Sequence, residues 1–273
     1  MLKDIIVHVD DAAHASPSAR IAAGLAARSG AHLLGVHCVN LPSVPAMVDF
    51  DIPDDIRKAQ REMFESAAEA ARETFEAACA AADTPGQWLC ETGAPVSLLA
   101  RHALVSDLLV VRRTHPDAAG QSPATLAGDV VLSTRRPVLV VPPDCAVEDM
   151  VGPMTVAWND SPESARAIAD AMPVLALASA VHVVWVSPDD PAQAQGSLDR
   201  LCSHLDRHEV SSSGQIIEGP TDAAPALLDF ARRNHSRCVV IGAYGHSRMR
   251  ELLFGGVTEH MLHHSELPVL MSH

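Results

Sequence analysis

Aromatic side chains are scarce in this chain: Phe, Trp and Tyr make up 3% of 273 residues. Proteins that hold single-stranded nucleic acid stack bases on such rings, so that class is disfavoured. Basic side chains are also in deficit, with 20 Lys and Arg against 34 Asp and Glu and a formal net charge of −14. No run of Lys or Arg offsets this, and general DNA or RNA binding needs a basic footprint. No stretch approaches the roughly 18–20 apolar residues that cross a bilayer, so no membrane insertion is expected. Cys38, Cys79, Cys90, Cys145, Cys202 and Cys238 include no Cys-x-x-Cys pair. They read as buried, reduced thiols rather than a disulfide frame. Met1 to Val7 runs straight into a strand pattern, without the basic and apolar regions of an export signal. A cytoplasmic location is therefore expected. A nucleophile elbow, a Walker A lysine and paired catalytic carboxylates are missing as well.

What is present is an ordinary globular balance, 48% hydrophobic and 20% charged, in a length that favours two domains. The chain reads twice. Asp4 to Val9 is an apolar run ending in Asp10-Asp11, and Met154 to Trp158 is another ending in Asn159-Asp160. Each is followed by a Pro-led, alanine-rich helical stretch, from Pro17 to about Ser29 and from Pro162 to about Ala178. A second apolar run follows in each half, His32–Val39 and Val181–Val186. Strand, polar turn, helix, strand is a βαβ unit. Later, Asp107–Val111 matches Arg237–Ile241, and Arg136–Val141 matches Leu267–Met271. Helices are expected before them, over Val96 to Leu104 and Ala223 to Arg233. Continuous apolar runs suit parallel strands buried on both faces. The expected fold is α/β, two tandem doubly wound parallel-sheet domains of about five strands each. Residues 1–143 and 152–273 form the two domains, with a linker from Pro142-Pro143 to Asp149. An insertion over 42–86 breaks the repeat and carries a helix from about Asp54 to Ala82. Its apolar surface exceeds what its own domain needs, so it is expected to cover an interdomain or intersubunit surface. The counterpart stretch, Pro188–Gly214, holds a shorter helix near Ser197–His208.

The segment that carries chemistry follows Ile241. It reads Gly242-Ala243-Tyr244-Gly245-His246-Ser247, then Gly255-Gly256-Val257-Thr258 before a helix. Strand, Gly-x-x-Gly, nine residues, Gly-Gly, helix is a pattern in which glycines let the backbone approach a phosphate. The helix start adds unpaired N–H groups and the positive end of a dipole. Glycines after strands also serve as plain turns, and both readings are open on spacing alone.

With these residues in hand, the whole chain resembles a tandem member of the universal stress protein (UspA-like) family. Gly242, Gly245 and Gly255 match the glycines of its ATP-binding variant, with Gly256 where a hydroxyl residue is usual. The stretch from Gly245 to Leu253, the turn Trp158-Asn159-Asp160-Ser161-Pro162-Glu163 and the closing Pro268-Val269-Leu270 are similar too. The resemblance implies the strand order 3-2-1-4-5 in each domain and a site in the second domain for ATP or a related adenine nucleotide, with or without Mg²⁺. It places Asn159, with Asp160 beside it, at the position of an Asp near the adenine or ribose. It places the adenine by the backbone near Trp185 or Val186. The phosphates would lie along the loop that holds Gly242, Gly245, His246, Gly255, Gly256, Val257 and Thr258. In the first domain Asp10 matches the Asp position, but Arg112-Arg113-Thr114 replaces the glycines, so that site reads as degenerate. Arg112 and Arg113 there read as solvated side chains or as an anion site. The function implied is a stress-response protein regulated by nucleotide and acting on a protein partner, with association into a homodimer left open. The alternatives are a scaffold that binds no nucleotide and a slow ATPase.

The terminal strands, Val138–Val141 and Val269–Met271, are short apolar edges. Pairing them removes both liabilities, which predicts adjacency about a pseudo-two-fold axis. Two histidine groups complete the inventory. His260, His263 and His264 have helical i, i+3, i+4 spacing, and His8 and His37 end neighbouring strands near Asp10. Each group reads as a metal or proton site or as ordinary polar surface.

Overall fold

The computed structural model describes residues 1–10, 16–40, 53–113, 126–145, 150–219, 222–244 and 256–273. The first half runs β1 (Asp4–His8), α1 (Pro17–Ser29), β2 (His32–Val39), α2 (Asp54–Ala81), β3 (Gly86–Thr92), α3 (Pro95–Ala103), β4 (Leu108–Arg112), α4 (Leu126–Thr134) and β5 (Val138–Val141). The second half runs β6 (Pro153–Ala157), α5 (Pro162–Leu175), β7 (Ala180–Val186), α6 (Pro191–Arg207), β8 (Ser212–Ile217), α7 (Ala223–Arg233), β9 (Cys238–Gly242), α8 (Val257–His264) and β10 (Val269–Ser272).

The ten strands of the described residues form one sheet in the order β3-β2-β1-β4-β5-β10-β9-β6-β7-β8. Within each half every pairing is parallel and the order is 3-2-1-4-5, as expected. The halves meet where β5 and β10 pair antiparallel, Val140 opposite Val269, Leu139 opposite Leu270 and Val138 opposite Met271. The expected adjacency of the terminal strands holds, and the strand order reads the same from either end. Two apolar layers run across both halves, one on each face of the sheet. One contains Phe75, Leu139, Met154 and Leu198; the other contains Leu99, Val130, Leu227 and Met261.

Several boundaries differ from expectation. Helix α5 stops at Leu175, two residues after the internal Pro173, rather than near Ala178. Helix α6 starts six residues before the expected Ser197, at Pro191, because Asp190 caps it by accepting from the N–H groups of Ala192 (3.0 Å) and Gln193 (3.1 Å). Cys90 is exposed and Cys38 and Cys202 are half-buried, so the expectation of uniformly buried thiols is corrected; Cys90 lies on β3, an edge of the sheet. The inserted helix α2 packs on its own half, against α1, β2 and β3, through Ala71, Phe75, Ala78 and Cys79. Most of Asp54–Ala70 is exposed, with Ile56 at 48% and Met63 at 58%. Residues 42–52 of the insertion and 146–149 of the linker lie outside the described residues.

Candidate functional site

Between β6 and β9 the strand order of the second half reverses. In doubly wound sheets this is where the carboxyl ends of the strands open a crevice. Here β6 ends at Ala157 and the chain turns through Trp158 and Asn159 into α5. A reciprocal cap fixes the start of that helix. Ser161 Oγ accepts the Ser164 N–H (3.2 Å) and Ser164 Oγ accepts the Ser161 N–H (3.2 Å). Strand β9 ends against this turn at Gly242. A Cβ there would stand 2.6–2.7 Å from the Glu163 carbonyl and the Ser164 nitrogen, so the close approach of β9 to α5 requires glycine. Beyond it, Tyr244 has a positive φ of 52° and donates its N–H to Thr258 Oγ1 (3.3 Å). Thr258, 2% exposed, thereby ties the first turn of α8 to the start of the glycine loop. Gly256 is the N-cap of α8, and among the described residues no side chain caps that turn.

These elements enclose a cavity of about 360 Å³. Its apolar lining comes from Ala157, Val184, Trp185, Val186, Ala223, Leu227 and Ile241, and its polar lining from Asn159, Ser161, Glu163, Ser164 and Thr258. Val257, Gly242 and Trp158 complete it. Of the residues expected at the site, Asn159, Val186, Gly242, Val257 and Thr258 line this cavity, and Gly256 precedes Val257. Asp160 does not line it. Asp160 has a left-handed backbone, φ 59°, and accepts a hydrogen bond from Ser197 Oγ (2.9 Å), which itself accepts from Trp158 Nε1 (3.0 Å). Asn159 Oδ1 accepts from Ser161 Oγ (2.6 Å). Gly245, His246 and Gly255 lie outside the described residues.

The strand registers give each of these positions a counterpart in the first half. Ile5 pairs with Leu108 as Met154 pairs with Cys238, so His8 stands where Ala157 does and Arg112 where Gly242 does. A small residue at each place in the second half is thus a large one in the first. The His8 imidazole is 3% exposed, and among the described residues its buried Nδ1 has no hydrogen-bond partner. Arg112 approaches Asp10 at 3.8 Å with its side chain only 20% exposed, which corrects its reading as a solvated arginine. Arg113 is half-buried too, and burial lowers its guanidinium pKa against the opposing pull of Asp144. Comparison of the halves therefore brings out Ala157 and His8, which the glycine motif alone did not single out. His37 Nδ1 donates to the Val9 carbonyl oxygen (2.7 Å). Among the described residues, no three His, Cys, Asp or Glu side chains are grouped to hold a metal ion, and no helix is long and apolar enough to cross a membrane.

Burial pushes the His8 pKa below its ordinary value near 6.5; Asp10 opposes this and His37 adds to it. The folded chain keeps this ring neutral at a pH where the unfolded chain has already bound a proton. Stability from this group is therefore full above about pH 6.5 and falls as pH drops from there toward the folded-state value. Thermal melts between pH 8 and pH 5 are expected to show that loss, and His8→Leu to flatten it. An unchanged pH profile in His8→Leu would assign the acid sensitivity elsewhere.

The family model of the universal stress protein family matches residues 150–273. Among solved structures, a universal stress protein from Archaeoglobus fulgidus superimposes with a TM-score of 0.69 at 16% identity, covering 98% of this chain and 95% of that one. A functionally unknown protein from Pseudomonas aeruginosa gives a TM-score of 0.54 at 17% identity, covering 100% of this chain and 92% of that one. At such identities the likeness shows the fold. No curated protein matched the chain.

Proposed function

Since residues 150–273 belong to the universal stress protein family, in a chain whose two halves share one fold, we propose that the second half, taken as 152–273, binds one adenine nucleotide and that the first half, 1–143, binds none. The observation that carries this reading is the cavity of about 360 Å³ at the switch point, apolar at one end and bounded at the other by the start of α8, which no side chain of the described residues caps. An adenine ring fits the end lined by Ala157, Val184, Trp185, Val186 and Leu227, where it leaves water for apolar contact. Phosphates fit the end at Gly242, Gly256, Val257 and Thr258, where first-turn N–H groups of α8 need acceptors. Gly245, His246 and Gly255 are assigned to the same phosphate loop on the family motif. A polyphosphate carries several negative charges, so it enters most readily with Mg²⁺ offsetting them. The role that follows is regulatory: occupancy of the cavity by nucleotide alters a surface offered to a protein partner.

Two measurements test this. Mass spectrometry of ligand released from the denatured, purified protein is expected to find an adenine nucleotide. Calorimetric titration of ligand-free protein with ATP and Mg²⁺ is expected to give one site per chain. A stoichiometry of two, or no heat with any adenine nucleotide, sinks the proposal.

A further inference from the structure

On the opposite face of α8 from the sheet, His260 and His264 stand one turn apart with ring centroids separated by 4.6 Å and ring planes at 47°. Two imidazoles bound to one metal at about 2.0–2.1 Å, in adjacent coordination positions, hold their centroids roughly 4.5–5 Å apart. The i, i+4 spacing is the one by which a helix presents two histidines to a single zinc ion. Among the described residues neither ring has a hydrogen-bond partner. His263, the third histidine of this helix, is set apart: it faces Glu259 at 4.0 Å and lies 6.2 Å from His264.

The pair opens on a groove of about 590 Å³ between α7 and α8 that also holds Asp222, Asp229 and Arg232. Arg232 is drawn to Asp229 (2.9 Å) and Glu266 (3.8 Å), which offsets the one cation of the groove lining. Asp222 turns Oδ1 to the Ala224 N–H (3.3 Å) and adds negative charge beside the rings.

We propose that His260 and His264 clamp a divalent transition metal ion of the zinc class on the outer face of α8. Imidazole nitrogen suits zinc, nickel and copper, and discriminates against magnesium and calcium, which prefer oxygen. Two side chains leave the remaining coordination positions to water. A second i, i+4 pair, His204 in the last turn of α6 and its C-cap His208, has centroids 4.7 Å apart but stands exposed. The α8 pair instead sits in a groove with Asp222 and Asp229, so the tighter site is assigned to α8.

The test is calorimetric titration of the untagged full chain with Zn²⁺ in a non-chelating buffer at neutral pH. One micromolar event is expected. His260→Ala and His264→Ala should each weaken it by roughly tenfold or more, with circular dichroism reporting an intact fold. His204→Ala should leave it unchanged, and Mg²⁺ should not compete. No event in the wild type, an event that survives both α8 substitutions, or one that disappears with His204→Ala overturns the assignment.

Discussion

Ala157→His is expected to weaken adenine-nucleotide binding by roughly tenfold to more than a hundredfold. The substitution copies into the second half what the first half already has, a histidine at the carboxyl end of its first strand. Ala157 lines the apolar end of the cavity, beside Val184 and Ile241. An imidazole projecting from its Cβ takes up the space proposed for the base. Contact between a base and the side chains it lies on is worth about 1–3 kcal/mol, and 1.4 kcal/mol is tenfold in affinity. Calorimetry on Ala157→His reads the loss directly, while an unfolding curve like the wild type's excludes general damage. The reciprocal His8→Ala should not create a second site, because Arg112 still occupies the place of Gly242. If Ala157→His binds as the wild type does, the base does not lie over Ala157.

Phe75→Ala is expected to destabilise the first half by about 3–5 kcal/mol, the range for removing a large buried ring. Phe75 is 1% exposed and is the residue by which α2 is pressed into the sheet. Its ring lies 5.5 Å from that of Trp88. It rests on two glycines of neighbouring strands, Gly35 and Gly86, where a Cβ would come within 2.7 Å and 2.6 Å of the ring. Three elements thus close on one side chain, and little around it can collapse into the space it leaves. Gly35→Ala approaches the same contact from the other side, and overpacking of this kind costs typically 1–3 kcal/mol. Denaturant unfolding followed by tryptophan fluorescence checks both. A change of under 1 kcal/mol in Phe75→Ala would mean that α2 is not held by this ring.

The parts of the fold visible in the sequence are those in which burial on both faces writes a continuous apolar run. Ile5 to Val7, Leu108 to Val111 and Val138 to Val141 are such runs, as are their counterparts in the second half, and the repeat was legible from them. The outer strands were not placed from sequence because burial does not write them. β3 reads Gly-Gln-Trp-Leu-Cys-Glu-Thr and β8 reads Ser-Ser-Gly-Gln-Ile-Ile, each at an edge of the sheet with polar or small residues where a central strand has valine. The start of α6 carried a usable signal in Asp190-Pro191, a cap residue followed by proline, which the small and polar run Ala192-Gln193-Ala194-Gln195-Gly196 concealed.

The candidate site was legible where it uses glycine and illegible where it uses an absence. Gly242 stands out in any reading, and the packing of β9 on α5 explains it. Ala157 is one alanine among many. Its meaning emerges only when the strand registers set it opposite His8, and Asp160 is likewise assigned by structure to a contact with Ser197 rather than to the cavity. A short polar turn after a strand names the residues that can reach a crevice. It does not say which of two adjacent carbonyl-bearing side chains turns inward.

The pairing of β5 with β10 has a consequence for how such a molecule changes over generations. In an assembly of two identical subunits across a two-fold axis, every substitution arrives twice, and the pair of strands at the axis must suit itself. Exchange of the halves would map the contact of Val138 with Met271 onto that of Val140 with Val269, and here the two already differ. Covalent linkage has released the seam from self-complementarity. It also makes the seam an intramolecular contact whose strength does not fall on dilution. One half is then free to lose a cavity that the other retains, since neither the fold nor its partner strand requires the two to agree.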